Sequence, residues 1–213
     1  MTMIIAIDGP AGSGKSTIAK LIAKKLGLLY INTGAMYRLL TLKAMQKKLD
    51  LNDEKALINL AGNTKIKLNP KGARIRTPEV TNNISYIANV PGVRLEMVKA
   101  QRAFGYGSKR GAILEGRDIG TVVFPDAGRK FYLDASVAER AQRRFKELKE
   151  KGMEINLKQI EKDIKIRDRK DKTRPVGALK KAKDAILVDT TKLTIQQVVD
   201  KVLLHCHCEE SRT

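Results

Sequence analysis

Two rhythms of apolar and polar residues alternate along this chain. Short apolar-rich runs at 3–7, 28–31, 112–114, 130–133 and 185–188 predict buried strands, because a strand covered on both faces has no solvent side to make polar. Between them, apolar residues return every three or four positions. Ile18, Leu21, Ile22 and Leu26 predict a helix that ends at Gly27, and similar spacing predicts helices over 35–48, 54–61, 79–88, 93–104, 137–151, 157–170 and 195–205. Strands that take turns with helices predict an α/β fold, three layers deep, with a parallel central sheet. Ser136 with Glu139 and Thr194 with Gln197 have capping-box spacing and open two of the helices. Thr64–Leu68 and Arg74–Thr77 flank Asn69-Pro70-Lys71-Gly72, which predicts a small hairpin inserted among the helices.

Composition narrows the class. The 213 residues are 42% hydrophobic and 31% charged, enough apolar material for the core of one domain and too much for a disordered chain or a rod. The run Met3–Ile7 is broken at Asp8 and follows no basic stretch, so neither a secretory leader nor a membrane span is expected, and a cytoplasmic location is. The cysteines, Cys206 and Cys208, stand too close together to close a useful disulfide loop. His205-Cys206-His207-Cys208 lacks the ligand spacing of a closed zinc site and is expected to fray. With 42 Lys+Arg against 23 Asp+Glu the formal net charge is +19, which draws polyanions of any kind. The segment Glu139–Lys181 alone holds 16 Lys+Arg and 8 Asp+Glu. Aromatic residues make up 4% and there is no Trp, so a stacking platform for single strands is poorly supplied. Most of the lysines read as solvated helix faces.

One motif carries specific chemistry. Gly9-Pro10-Ala11-Gly12-Ser13-Gly14-Lys15-Ser16 fits G-x-x-x-x-G-K-[ST] between a predicted strand and a predicted helix. In such a P-loop, backbone N–H groups turn toward phosphate oxygens and the following helix presents its positive end. Lys15 reaches the β/γ-phosphates, and the Ser16 hydroxyl ligates Mg²⁺. Thr17 continues the helix start beside the phosphates. No clear hydrophobic run followed by Asp stands out, so the pattern names no carboxylate to support the metal. A P-loop specifies a nucleoside triphosphate and leaves the acceptor open.

The acceptor side must then come from the other strand ends. Asn32-Thr33-Gly34-Ala35-Met36-Tyr37-Arg38 follows the second strand, and Glu115-Gly116-Arg117-Asp118-Ile119-Gly120-Thr121 follows another. Both therefore belong at the carboxyl edge of the sheet, where open α/β folds bind ligands. Ile160, Ile164, Arg167, Asp171 and Arg174 share one helical face that changes from apolar to charged along its length.

At this point the whole chain resembles bacterial-type cytidylate kinase, a P-loop nucleoside monophosphate kinase. The likeness runs from the P-loop through Asn32–Arg38, Thr77–Val80 to Ser85, Pro91–Arg94, Gln101–Phe104, Glu115–Ala127 and Phe131–Ser136 to Arg167–Arg174, Asp184-Ala185 and Asp189-Thr190. The resemblance implies a core of 1–32, 105–149 and 176–213, an acceptor-binding region over 33–104 and a short lid over 150–175. It implies Lys15, Arg117, Arg167 and Arg174 at the transfer centre, with Arg38 on the acceptor phosphate. Ser85, Arg94 and Asp118 fall where the cytosine readers stand, Arg167 and Asp171 near the ribose, and Thr33 and Tyr37 beside them. Asn32 replaces the Asp common in the family, and the inserted segment is shorter than is usual there. ATP with Mg²⁺ as donor, CMP and dCMP as acceptors, a monomer, and no nucleic-acid or membrane partner complete what it implies.

The residue types suit that reaction. A nucleoside monophosphate offers an oxygen already ionised at neutral pH, so positioning and charge stabilisation suffice and no strong base is needed. The only histidines, His205 and His207, lie in the tail. Guanidinium forks grip phosphate oxygens in pairs and stay charged. Cytosine presents an amino donor beside an acceptor nitrogen, and uracil reverses both, so a carboxylate next to a cation favours cytosine. A basic segment over 149–174 suits a cover that excludes water from the triphosphate. Other readings remain: a kinase of UMP or of a metabolite alcohol, a nucleic-acid-binding P-loop protein, and a nucleotide switch.

Overall fold

The computed structural model describes residues 2–70, 72–150 and 152–207, the side chains of Ala73 and His207 excepted. Its sheet contains β1 (Ile4–Asp8), β2 (Leu29–Asn32), β3 (Ala112–Gly116), β4 (Arg129–Asp134) and β5 (Ile186–Asp189), all parallel, in the order β2-β3-β1-β4-β5. The expected parallel α/β architecture is present. β1 lies between β3 and β4, so the chain departs to both sides of it and opens a crevice at its carboxyl end. Asp8 pairs in register with Gly116 on one side and Tyr132 on the other, which levels these strand ends at the crevice.

Every residue of β1 and β3 is buried, as continuous apolar strands require, and the exceptions in composition, Asp8 and Glu115, fall at the crevice. Alternate side chains feed two cores. On one face Ile5, Ile7, Ile113, Phe131 and Leu133 pack with Ile18 and Ile22 of α1 (Lys15–Leu26) and Val198, Val199 and Val202 of α8 (Ile195–His207). On the other, Ile4, Ala6, Ala112 and Leu114 meet Met36 and Leu40 of α2 (Thr33–Gln46) and Met97 of α5 (Pro91–Tyr106). The buried stripe of α1 is Ile18, Ala19, Ile22 and Ala23, and Leu21 faces out. At 100° per residue two small alanines fit closer to the sheet than a leucine could.

Four helices intervene between β2 and β3: α2, α3 (Glu54–Gly62), α4 (Pro78–Asn89) and α5. Proline opens α4 and α5, where its missing N–H costs nothing. The expected hairpin over 64–77 is absent among the described residues. Ala73–Arg76 forms a short 3₁₀ turn into α4 instead. Ile66 and Leu68 pack onto the core, and Asn69, in a left-handed conformation, turns its side-chain amide to the open edge of β2. It accepts from Asn32 N at 2.8 Å and donates to Tyr30 O at 2.5 Å. One side chain thus satisfies the edge groups that a second strand would otherwise have paired.

α6 (Val137–Lys149) and α7 (Leu157–Thr173) form a pair with its own small core of Ala141, Ile160 and Ile164, edged by Phe145 and Leu148. Thr194 and Gln197 make the full reciprocal capping box at 2.9 and 3.2 Å. Ser136 accepts from Glu139 N at 3.2 Å, but the Glu139 carboxylate turns to Arg143 and Thr191 takes the Ser136 N–H instead. The tail is ordered further than expected, since α8 runs to His207 and His205 lies against Phe131. Cys208 lies outside the described residues. No described helix is long and apolar enough to cross a membrane, and no described cluster of His, Cys, Asp and Glu could hold a metal by three such ligands.

Candidate active site

The Gly9–Ser16 loop leaves β1 and runs straight into α1. Gly9 has φ +147°, and a Cβ there would strike Leu133 O of β4, so only glycine lets the loop pass so close to the neighbouring strand. Within the loop, Ser13 Oγ donates to Pro10 O at 3.1 Å and Lys15 Nζ donates to Pro10 O at 2.5 Å. Gly14 precedes the first helical residue, Lys15, so the unpaired N–H groups of the first turn face the loop's concavity. Ser16 and Thr17 stay exposed there. Ala11 O accepts from Arg140 Nη1 at 3.1 Å, and Arg140, itself buried, also bonds Ala135 O at 2.9 Å and Asp168 of α7 at 2.7 Å. That single guanidinium joins the P-loop to α7.

Beside Ser16 stands a carboxylate that pattern reading missed. Glu115, at the end of β3, accepts from Ser16 Oγ at 2.8 Å. The signal was available: Ala112-Ile113-Leu114-Glu115 is a hydrophobic run ending in an acid, with Glu in the position searched for Asp. A hydroxyl and a carboxylate are the hard oxygen donors that suit Mg²⁺, and the arrangement fits a nucleotide-bound ion held by Ser16 and Glu115.

The turn after β3 carries Arg117 and Asp118. Asp8 holds it by accepting from Ile119 N and Gly120 N, both at 2.8 Å, and Arg102 of α5 straps its far end through Val122 O and Val123 O. Burial pushes the Asp8 carboxyl up to about 6 in spite of those two bonds. Arg117 Nε donates to Asp171 of α7 at 2.8 Å. Burial favours the protonated form of Asp171, but Arg117 and Arg167 outweigh it and hold the carboxyl below its ordinary value.

Arginines converge opposite the P-loop. Burial, then repulsion from Arg167 and Arg144, lowers Arg38 to about 10. Burial and Arg117 lower Arg167 to about 10. Lys15 falls well below its ordinary value through burial and then Arg117, with Arg167 adding to it. Like charges held this close attract an anion of the size of a phosphate. Arg144, on α6, belongs to this cluster and was not singled out by its pattern.

Deeper in, Arg94 of α5 forms a short ion pair with Asp118, both almost fully buried, and its guanidinium lies 5.6 Å from the Tyr37 ring centre. Arg174, the residue after α7, sits 4.0 Å from Asp118 and donates through Nε to Gly177 O. Arg94 Nε and Arg174 Nη2 are buried donors with no hydrogen-bond partner among the described residues, the kind of orphan a bound ligand satisfies. Tyr37, Arg94, Asp118, Asp171 and Arg174 therefore form one contiguous cluster, which Arg117 joins through Asp171. Ser85 lies half-buried on α4, one turn after Thr81, which takes a 2.6 Å bond from Arg38. Thr33 points elsewhere, its hydroxyl donating to Glu115 O at 2.7 Å.

Comparison with known proteins decides the family. The cytidylate kinase family model matches residues 5–208. The chain belongs to the cytidylate kinase family. A cytidylate kinase of Lactobacillus johnsonii is 49% identical over 94% of this chain and 92% of its own, and one of Desulforamulus reducens is 48% identical over 93% and 94%. Among solved structures, shikimate kinase from Acinetobacter baumannii in complex with shikimate superposes with a TM-score of 0.51 at 14% identity, covering 100% of this chain and 97% of that one. At that identity the likeness shows the shared P-loop kinase fold alone. The chain is accordingly a nucleoside monophosphate kinase by family.

Proposed function

We propose that this chain transfers the γ-phosphoryl group of ATP to CMP, and to dCMP, giving CDP or dCDP and ADP; its relatives' name, cytidylate kinase, supports CMP as the acceptor. The observation that carries the reading is the buried Arg94–Asp118 pair with orphaned guanidinium donors beside it, set behind an arginine cluster that faces a P-loop. Asp118 accepts from the cytosine amino group while Arg94 donates to the ring acceptors. Uracil would set an acceptor against the carboxylate and leave buried groups unpaired.

Residues 33–104 are the acceptor-binding region and 150–175 the lid in this reading. Arg38 and Arg117 grip the acceptor phosphate, and Arg167 and Arg174 close over it from α7. Lys15 and the loop N–H groups hold the donor phosphates, keeping the two anions in line in spite of their repulsion. An acceptor oxygen forms the new P–O bond as the bond to the ADP oxygen breaks, and no proton need move. Mg²⁺, when bound by Ser16 and Glu115, supplies further neutralisation of the donor phosphates. The water-excluding role falls to α7, whose anchor is the Arg140–Asp168 bond to the P-loop side.

The test is ADP formation with Mg²⁺-ATP and a panel of CMP, dCMP, UMP, AMP, GMP or no acceptor. Turnover that depends on CMP or dCMP is expected. ADP release that ignores the acceptor would overturn the reading.

A further inference from the structure

Behind Glu115 a hydrogen-bond chain runs in one direction. Asn32 closes β2 and caps α2, its Oδ1 accepting from Ala35 N at 2.8 Å. That bond assigns the amide, so Nδ2 is the group 3.0 Å from the Tyr30 hydroxyl and donates to it. The single Tyr30 proton is left for Glu115, and the hydroxyl makes a short bond to Oε1. Ser16 donates to the other oxygen, Oε2, at 2.8 Å. Asn69 pins the backbone of both relay residues through Asn32 N and Tyr30 O.

We propose that Tyr30 and Asn32 are positioning residues for the divalent cation of the donor nucleotide, locking the Glu115 carboxylate in one orientation beside Ser16. The proposal rests on the reading of Ser16 and Glu115 as the metal's protein ligands. It also gives Asn32 a reason. An aspartate at this position caps α2 equally well but accepts where Asn32 donates, leaving Tyr30 one proton for two carboxylates. Asparagine leaves that proton with Glu115. Partners behind a metal ligand commonly govern affinity about tenfold or more, because they fix the ligand's orientation before the ion arrives.

Calorimetric titration of a non-hydrolysable ATP analogue, with and without Mg²⁺, measures the affinity gained from the metal apart from turnover. Tyr30→Phe is expected to cut that gain about tenfold, with metal-free affinity held within about twofold. Asn32→Ser keeps a good helix cap but has no amide donor, and is expected to cut it about threefold. Glu115→Gln should lose at least as much as Tyr30→Phe, and the Tyr30→Phe/Glu115→Gln double variant no more than Glu115→Gln alone, since Tyr30 acts through Glu115. A gain that Tyr30→Phe leaves intact while Glu115→Gln loses it overturns the relay, as do losses that multiply in the double variant. An undiminished gain in Glu115→Gln would instead remove the metal reading itself. A gain that Asn32→Ser leaves unchanged overturns the part given to Asn32.

Discussion

The donor and acceptor ends of this crevice are built in opposite ways. The P-loop is eight consecutive residues, fixed from within by Ser13 and Lys15 on Pro10 O and from outside by Arg140 on Ala11 O and Glu115 on Ser16. The proposed acceptor site draws Tyr37, Arg94, Asp118, Asp171 and Arg174 from α2, α5, the turn after β3 and α7 with its end, and includes buried guanidinium nitrogens with no hydrogen-bond partner among the described residues. Beside it, burial and then neighbouring arginines lower Arg38 and Arg167 to about 10. A contiguous loop takes its shape from bonds between near neighbours, whereas a cluster assembled from distant segments is held by ion pairs across the fold. In the proposed reading the donor end is therefore shaped by one segment, and the acceptor end by how several segments pack.

The sharpest way to break that contrast is Arg117→Met. It should lower turnover about a thousandfold, the scale of a transition-state arginine, while calorimetric ATP affinity changes less than about threefold. Turnover within a few-fold of the parent would place Arg117 outside the transfer centre.

Asp8 ties the two ends, and its titration gives a stability test. Its carboxyl sits at about 6 in the folded protein against 3.8 unfolded, so the native state binds the proton more tightly. The resulting stabilisation is fully present below about pH 4 and is lost as pH rises through about 6. Relative to Asp8→Asn, which does not titrate, the parent should lose roughly 3 kcal/mol between pH 4 and 7.5, read from urea midpoints. A gap between the two proteins that stays constant with pH would contradict this assignment.

Asp118→Asn keeps the shape of the base pocket and weakens its polarity. The ratio of kcat/KM for CMP over UMP should fall about tenfold or more, with the ATP KM unaffected, and an unchanged ratio would exclude Asp118 from base readout. The smallest expected effect belongs to Gly177. It has φ +63°, and a Cβ there would collide with Arg94 Nη2 and Asp118 Oδ2. Gly177→Ala should raise the CMP KM about threefold by displacing that pair, at a strain cost on the order of 1 kcal/mol. If ATP and CMP KM rose together, the defect would be general and not one of the reader.

Legibility followed the same division. Strands and helices announced themselves through periodicity, and the P-loop through contiguous spacing, because each depends on residues near one another in the chain. The segment 64–77 misled, since its alternation suggests pairing while the structure satisfies the β2 edge with the Asn69 side chain. Glu115 follows a plain hydrophobic run but carries a glutamate where the usual pattern has aspartate, so its local sequence does not mark it by that pattern. Arg144 carried no local mark at all among so many basic residues. Thr33 reads as an acceptor-side hydroxyl, yet in the structure it is spent on Glu115 O.

By itself the sequence determined the α/β class, the phosphate-binding loop, and the family through motifs that span nearly the whole chain. Only the tertiary structure decided which charges meet: Ser16 with Glu115, Arg94 with Asp118, Arg117 with Asp171, and Arg140 with both the P-loop and Asp168. Backbone periodicity is a local property, set by covalent geometry and the burial of one face. Ion pairs between segments dozens of residues apart depend on strand order, register and helix rotation, which no local spacing records.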